Sequence, residues 1–169
     1  EHGSNNPLGV ESSVDKISFY PYYYVKDLLA FFGLLTFLTF LVFYFPNSLG
    51  HPDNYIPADP MSTPAHIVPE WYFLPFYAIL RSIPDKLGGV AAMGGALVIL
   101  LTIPFTNTSE IRSSQFRPLF KFFFWLLVVD FLILGWLGQK PVERPYIFSG
   151  QIATAFYFLF FLILLPFSG

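Results

Sequence analysis

Four stretches of this chain are apolar enough, over enough residues, to be read as membrane-crossing helices: residues 28–45, 88–105, 119–137 and 147–167. Crossing a hydrocarbon layer about 30 Å thick takes roughly 17–25 helical residues, and every stretch has that length. The runs are continuous and lack the strict alternation of barrel strands, so helices are the expected form. Charges collect at the edges: Lys26 and Asp27 precede the first run, and Lys121 lies near the start of the third. Asp130, well inside the third run, is the exception. An acid within a span needs a partner, expected here as a Lys, Arg or hydroxyl on another helix. Four spans put both termini on one side, and the basic residues divide five to four between the sides, too evenly to set an orientation.

The loop at 46–86 breaks the pattern. It is 41 residues long and holds 8 of the 15 prolines. Proline fixes φ and removes an amide donor, which predicts a rigid, irregular framework rather than a floppy linker. Residues 69–83 (PEWYFLPFYAILRSI) turn aromatic and apolar but are too few to span, so they predict an interfacial helix. The expected fold is an all-α membrane protein, with four transmembrane helices plus an amphipathic interfacial helix in the long loop. Gly88, Gly89, Ala91, Ala92, Gly94, Gly95 and Ala96 open the second span and predict a close helix–helix seam.

Composition narrows the function classes. Of 169 residues, 54% are apolar, 21% aromatic and only 12% charged. The mean hydropathy is +0.57. Twenty-two phenylalanines cannot all be buried in one water-soluble core of this size, which excludes a soluble enzyme. A net charge of -2 with no basic run leaves no footprint for nucleic acid. The absence of Cys removes disulfides, thiolate metal sites and a cysteine nucleophile. The first twenty residues have neither the basic start nor the apolar core of a signal peptide, and a chain opening on Glu1 is expected to be a processed or partial product.

Few residues are placed to do chemistry. Glu70 sits beside Trp71, Tyr72 and Phe73, with Pro69 before it. Dry aromatic surroundings favour a neutral acid over a carboxylate, which suits a group that accepts and passes protons. The alternative is a carboxylate capping a short interfacial helix. Tyr77 follows seven residues later, on the same face if the helix survives Pro75, either as a hydrogen-bonding phenol or as an interfacial anchor. Asp27 stands where the first span meets water, after the aromatic run at 19–24. It is either a proton relay or a helix-start charge, with Lys26 as a snorkelling neighbour. His2, His51 and His66 lie in loops at no ligand spacing, so no metal or haem is expected to be held by this chain alone.

At Pro69-Glu70-Trp71-Tyr72 the sequence resembles the C-terminal half of cytochrome b, the quinone-handling membrane subunit of ubiquinol–cytochrome c reductase, respiratory complex III. The resemblance, closest to the mitochondrial type, covers essentially the whole chain. It takes in Gly3-Ser4-Asn5-Asn6-Pro7, Pro21-Tyr22-Tyr23 with Lys26-Asp27, Asp53-Asn54-Tyr55 and Thr63-Pro64-Ala65-His66. It continues through PEWYFLPFYAILRSIPDKLGGV at 69–90, Phe116-Arg117-Pro118-Leu119 and Pro141-Val142-Glu143.

The resemblance implies two quinone pockets, each built only in part from this chain. Pro69, Trp71, Tyr72 and Phe73 would wall a quinol-oxidation pocket on the intermembrane-space side, with Glu70 accepting a proton and Tyr77 contacting the ligand. Ser4, Asn5, Phe19 and Lys26 match positions around a quinone-reduction pocket, where Asp27 would supply or relay protons. Both termini would face the matrix, and the protein would lie in the mitochondrial inner membrane as a multi-pass subunit. Ubiquinone and ubiquinol are the implied substrates. The haem b of the complex would be ligated from an N-terminal half of cytochrome b that this chain lacks. The family's reduction-site histidine sits about two residues ahead of His2, so that role is not transferred. The Rieske iron–sulfur protein, cytochrome c1, other complex III subunits and the lipid membrane are the implied partners. The relative known as subunit IV of the photosynthetic cytochrome b–f complex shares the PEWY motif but has three spans; a non-redox scaffold of the same fold is the remaining alternative.

Overall fold

A computed structural model describes residues 5–169, and among them every regular element is helical. Helix α1 is Tyr24–Tyr44, α2 Leu74–Ser82 and α3 Lys86–Val98. The α3 axis continues through a 3-10 turn, Ile99–Thr102, into α4, Ile103–Thr106. Helix α5 is Pro118–Gly138. Helix α6, Tyr146–Leu159, continues through a π turn, Phe160–Leu164, into α7, Leu165–Phe167. Four of these stretches are long and apolar enough to cross a membrane: Phe19–Tyr44, Lys86–Thr106, Pro118–Gly138 and Tyr146–Phe167.

Proline accounts for both irregularities. Pro104 and Pro166 each sit in the first turn of α4 or α7 and lack the amide that would bond one turn back. The preceding turn therefore changes its winding, to 3-10 before α4 and to π before α7. Helix α3 starts cleanly because the Asp85 carboxylate accepts from Gly88 N at 2.8 Å.

The chain divides into two compact units. One comprises residues 11–65, which include α1 and the first half of the proline-rich loop. Helix α1 begins at Tyr24, so Lys26 and Asp27 belong to its first turn rather than preceding the span. An acid there meets the positive end of the helix dipole. Thr36 and Thr39 donate to the carbonyls of Phe32 and Leu35, both at 2.8 Å, which spares their hydroxyls an unpaired stay in lipid. In the loop, a 3-10 turn at Pro52–Tyr55 is capped by His51 Nδ1, which accepts from Asp53 N at 3.2 Å.

The other unit joins the residues up to Val10 to residues 66–169. Its core gathers around Ile79 of α2 and Leu134 of α5, both fully buried, with Ala96, Ala153, Tyr157 and Phe160. Two glycines permit the backbones to meet. A Cβ on Gly138 would stand 2.5 Å from the carbonyl oxygen of Leu74, and one on Gly89 would stand 2.6 Å from that of Leu80. The small-residue stretch of α3 therefore serves as the expected seam in part. Gly89 and Ala96 are buried and Gly95 faces the Phe158 ring, while Gly94 has open space around it. Across the seam the Tyr157 hydroxyl donates to Ala96 O at 2.8 Å.

Asp130 departs from expectation. It is buried on the stripe of α5 that carries Leu134 and Leu137, yet its Oδ2 meets no hydrogen-bond partner among the described residues. The buried hydroxyls of the neighbouring helices bond elsewhere: Tyr157 bonds Ala96 O, Ser82 Oγ donates to Ile79 O at 2.7 Å, and Thr154 Oγ1 donates to Ser82 Oγ at 3.2 Å.

The backbone approach at Gly138 has a direct consequence. Gly138→Ala should destabilise the full-length protein by about 1–3 kcal/mol, because a carbonyl cannot yield as a flexible side chain can. Gly94→Ala should cost nothing. Thermal unfolding of the two variants in detergent checks this, and equal midpoints would refute it.

Candidate functional site

Glu70 precedes a 3-10 turn at Trp71–Phe73, and its carbonyl accepts from Phe73 N at 2.9 Å. Its carboxylate makes no capping bond, so the helix does not consume the acid. Helix α2 starts immediately afterwards, with Pro75 in its first turn, where no amide donor is needed. Pro75 therefore begins the helix and does not interrupt it.

The buried residues of α2 are Leu74, Pro75, Ala78, Ile79 and Ser82, a single stripe at helical spacing. Phe73 and Tyr77, four residues apart, fall on the other side. Glu70 is exposed, and the aromatic residues after it are open too, with Trp71, Tyr72 and Phe73 at 61%, 52% and 56% exposure. Trp71, Tyr72 and Phe73 touch in sequence, with ring centroids 5.5 and 4.7 Å apart. Pro69 is half-buried at the start of this run.

Tyr77 is half-buried, and the guanidinium carbon of Arg81 lies 5.0 Å from its ring centroid. Arg81 Nη1 donates to Gly138 O at 3.1 Å and Nη2 to Lys140 O at 2.5 Å. The same end of α5 receives His66, whose Nε2 is 3.2 Å from Gln139 O.

Two apolar cavities flank α5. One, of about 350 Å³, lies between Trp71, Tyr72 and Pro75 on one side and Phe131, Leu132 and Trp136 on the other. The second, of about 310 Å³, shares Phe131 and Leu132 and reaches Tyr157 and Phe161. Neither is lined by Glu70 or Tyr77. The exposed carboxylate and the half-buried phenol thus stand outside both cavities.

The residues expected at the second pocket are less connected. Ser4 and His2 lie outside the described residues. Asn5 belongs to the unit of residues 66–169, and its Oδ1 accepts from Asn6 N at 2.9 Å. Phe19, Lys26 and Asp27 belong to the α1 unit, where the Phe19 ring stacks on Tyr23 at 6.5 Å and both charged residues are exposed. His51 is occupied with Asp53, His66 reaches a carbonyl, and neither lies on a span, so the described residues do not fit a haem.

Residues 57–158 match the family described as Cytochrome b(C-terminal)/b6/petD. This chain belongs to the cytochrome b family. Cytochrome b of Marchantia polymorpha is 66% identical over 96% of this chain and 40% of its own length. That of Phytophthora megasperma is 63% identical over the full chain and 44% of its own. A solved structure, a hyperthermophilic respiratory complex III, superposes with a TM-score of 0.90 at 36% identity, over 98% of this chain and 43% of that one. The chain therefore spans about two-fifths of the length of the cytochromes b it matches.

The residue that sequence reasoning missed is Arg81, which had counted only as a charge for orientation. Its i+4 spacing from Tyr77 was the available signal, since residues four apart on a helix are neighbours. Nothing in the sequence marks Gly138 and Lys140 as its acceptors.

Proposed function

We propose that this cytochrome b segment forms part of two quinone sites in a ubiquinol–cytochrome c reductase of the mitochondrial inner membrane. The reading rests on one observation above all: α2 is fixed along one face, while Glu70 and Phe73 are exposed and Tyr77 is half-buried away from that face. Oxidation of a quinol releases two protons and two electrons. The electrons pass to redox groups outside this chain, and the protein's share is to hold the ring and take protons. On this reading the Glu70 carboxylate accepts a proton from the quinol hydroxyl, Tyr77 hydrogen-bonds a ring oxygen, and Phe73 packs against the ring. Pro69, Trp71 and Tyr72 set the chain direction that brings Glu70 to the pocket.

At the opposite membrane face, Asp27 hands protons to a quinone being reduced, with Ser4, Asn5, Phe19 and Lys26 around it. The free carboxylate of Asp27 in the first turn of α1 suits that role. The remaining walls, and the ligands of haem b, come from the rest of the cytochrome b length. The Rieske iron–sulfur protein and cytochrome c1 are the electron-transfer partners. The four spans support this assignment over the three-span subunit IV of a cytochrome b–f complex.

Glu70→Gln should slow quinol oxidation by about 100-fold, the scale of a positioned proton acceptor, with haem content unchanged. Steady-state turnover in the assembled complex, normalised to the reduced-minus-oxidised haem spectrum, checks this; haem loss with normal turnover per haem would refute it. Asp27→Asn should impair quinone reduction more than quinol oxidation. Haem reoxidation by added quinone is the measurement, and an unchanged rate would count against the assignment.

A further inference from the structure

We propose that Arg81 is a positioning residue of the quinol-oxidation pocket, holding the Tyr77 ring through a guanidinium that is itself pinned to the C-terminal end of α5. The proposal rests on the reading of that pocket given above.

Three features converge on Arg81. The last carbonyls of a helix have no partner within it, and in a membrane-spanning helix they cannot be left bare. Arg81 supplies donors to one carbonyl of the last turn, Gly138 O, and to Lys140 O in the turn just beyond the helix, so its planar fork is held at two points. The guanidinium carbon of that fork lies over the Tyr77 ring, 5.0 Å from its centroid, within the range of a cation–π contact. Finally, no carboxylate lies within ion-pair distance of Arg81 among the described residues, so its charge is met by carbonyls and the ring alone.

A chain of fixed contacts follows. The segment at the end of α5 fixes the guanidinium, the guanidinium restrains the Tyr77 side chain, and the placement of that side chain fixes where the phenol hydroxyl stands. Without Arg81 the ring is free to turn about its side-chain torsions, and the hydroxyl spends less time where a ligand oxygen needs it. Lysine cannot replace this function, because a point charge on a flexible stem does not combine two carbonyl bonds with a stacked plane.

The test is a double-mutant cycle in the assembled complex, reading quinol oxidation and, separately, quinone reduction. Arg81→Gln should raise the KM for quinol about fivefold, in keeping with a cation–π contact, while kcat changes less than about twofold. In a Tyr77→Phe background, where no hydroxyl remains to be aimed, the same substitution should change KM by less than about twofold. Arg81→Lys should behave as Arg81→Gln does. An equal KM effect in both backgrounds overturns the proposal, as does full rescue by Arg81→Lys. Parallel loss of quinone reduction or of haem in both Arg81 variants also overturns it, since that pattern marks a purely structural role. If Glu70→Gln and Tyr77→Phe both leave quinol oxidation intact, the pocket assignment itself has failed. That result is distinguishable from a working pocket in which Arg81 acts independently of Tyr77.

Discussion

The carbonyl oxygen of Leu74 occupies the space where a side chain on Gly138 would begin, and that of Leu80 does the same at Gly89. Helix α2 is thereby pressed, backbone to backbone, against two membrane-spanning helices at once. A nine-residue helix is marginal by itself, because its few hydrogen bonds barely offset the cost of nucleation. Its stability is borrowed from α3, α5 and α6, through the burial of Ile79 beneath it and the bond from Gln151 Nε2 to Ser82 O at 3.0 Å. Glu70 gains its fixed place in turn, since the 3-10 turn that follows it runs directly into Leu74.

Both ends of this helical unit solve the same electrostatic difficulty in the same way. At one end Arg81 binds the carbonyl of Gly138, the last residue of α5, and that of Lys140 just beyond it. At the other, Arg117 donates through Nε and Nη2 to Ser168 O, just beyond α7, at 3.3 and 3.0 Å. Each guanidinium also lies over an aromatic ring, Tyr77 for Arg81 and Phe120 for Arg117 at 4.3 Å. A cation near the negative end of a helix dipole is favourable, and an arginine can add carbonyl bonds and ring stacking at once. The difference lies in the ring. Phe120 carries no polar group, whereas Tyr77 carries a hydroxyl on the open face of α2.

The spans were legible because a long uncharged run admits few structures in lipid, whatever its detailed order. The start of α1 was less so: Lys26 and Asp27 look like an aqueous boundary, but long or dipole-matched side chains are tolerated inside a first turn, and the helix begins at Tyr24. In the candidate site, the aromatic surroundings singled out Glu70 and the seven-residue spacing Tyr77. Their placement opposite the buried stripe was not legible, because residues 71–80 are apolar or aromatic almost throughout and favour no face. Gly138 gave no signal either. A glycine near a helix end is ordinarily a terminator, and only the carbonyl of Leu74 reveals it as a contact point. Nor does the position of Asp130 in the sequence tell that its Oδ2 is left without a hydrogen-bond partner among the described residues.

A site that oxidises an amphiphile must be dry enough for proton transfer to be directed and open enough for the substrate to arrive. The apolar hollows beside α5 are not lined by Glu70 or Tyr77. On the proposed reading, an exposed acid and a half-buried phenol cannot by themselves exclude water, so the pocket closes against further protein. Cytochromes b are more than twice as long as this segment, which leaves ample chain to provide that cover. On the proposed reading, the rigid half lies here, with α2 clamped by two glycines and an arginine. The complementary half then carries the redox groups to a carboxylate that is already in place. Placing the proton acceptor and the electron acceptor on separate, mutually closing walls lets each be held by its own scaffold.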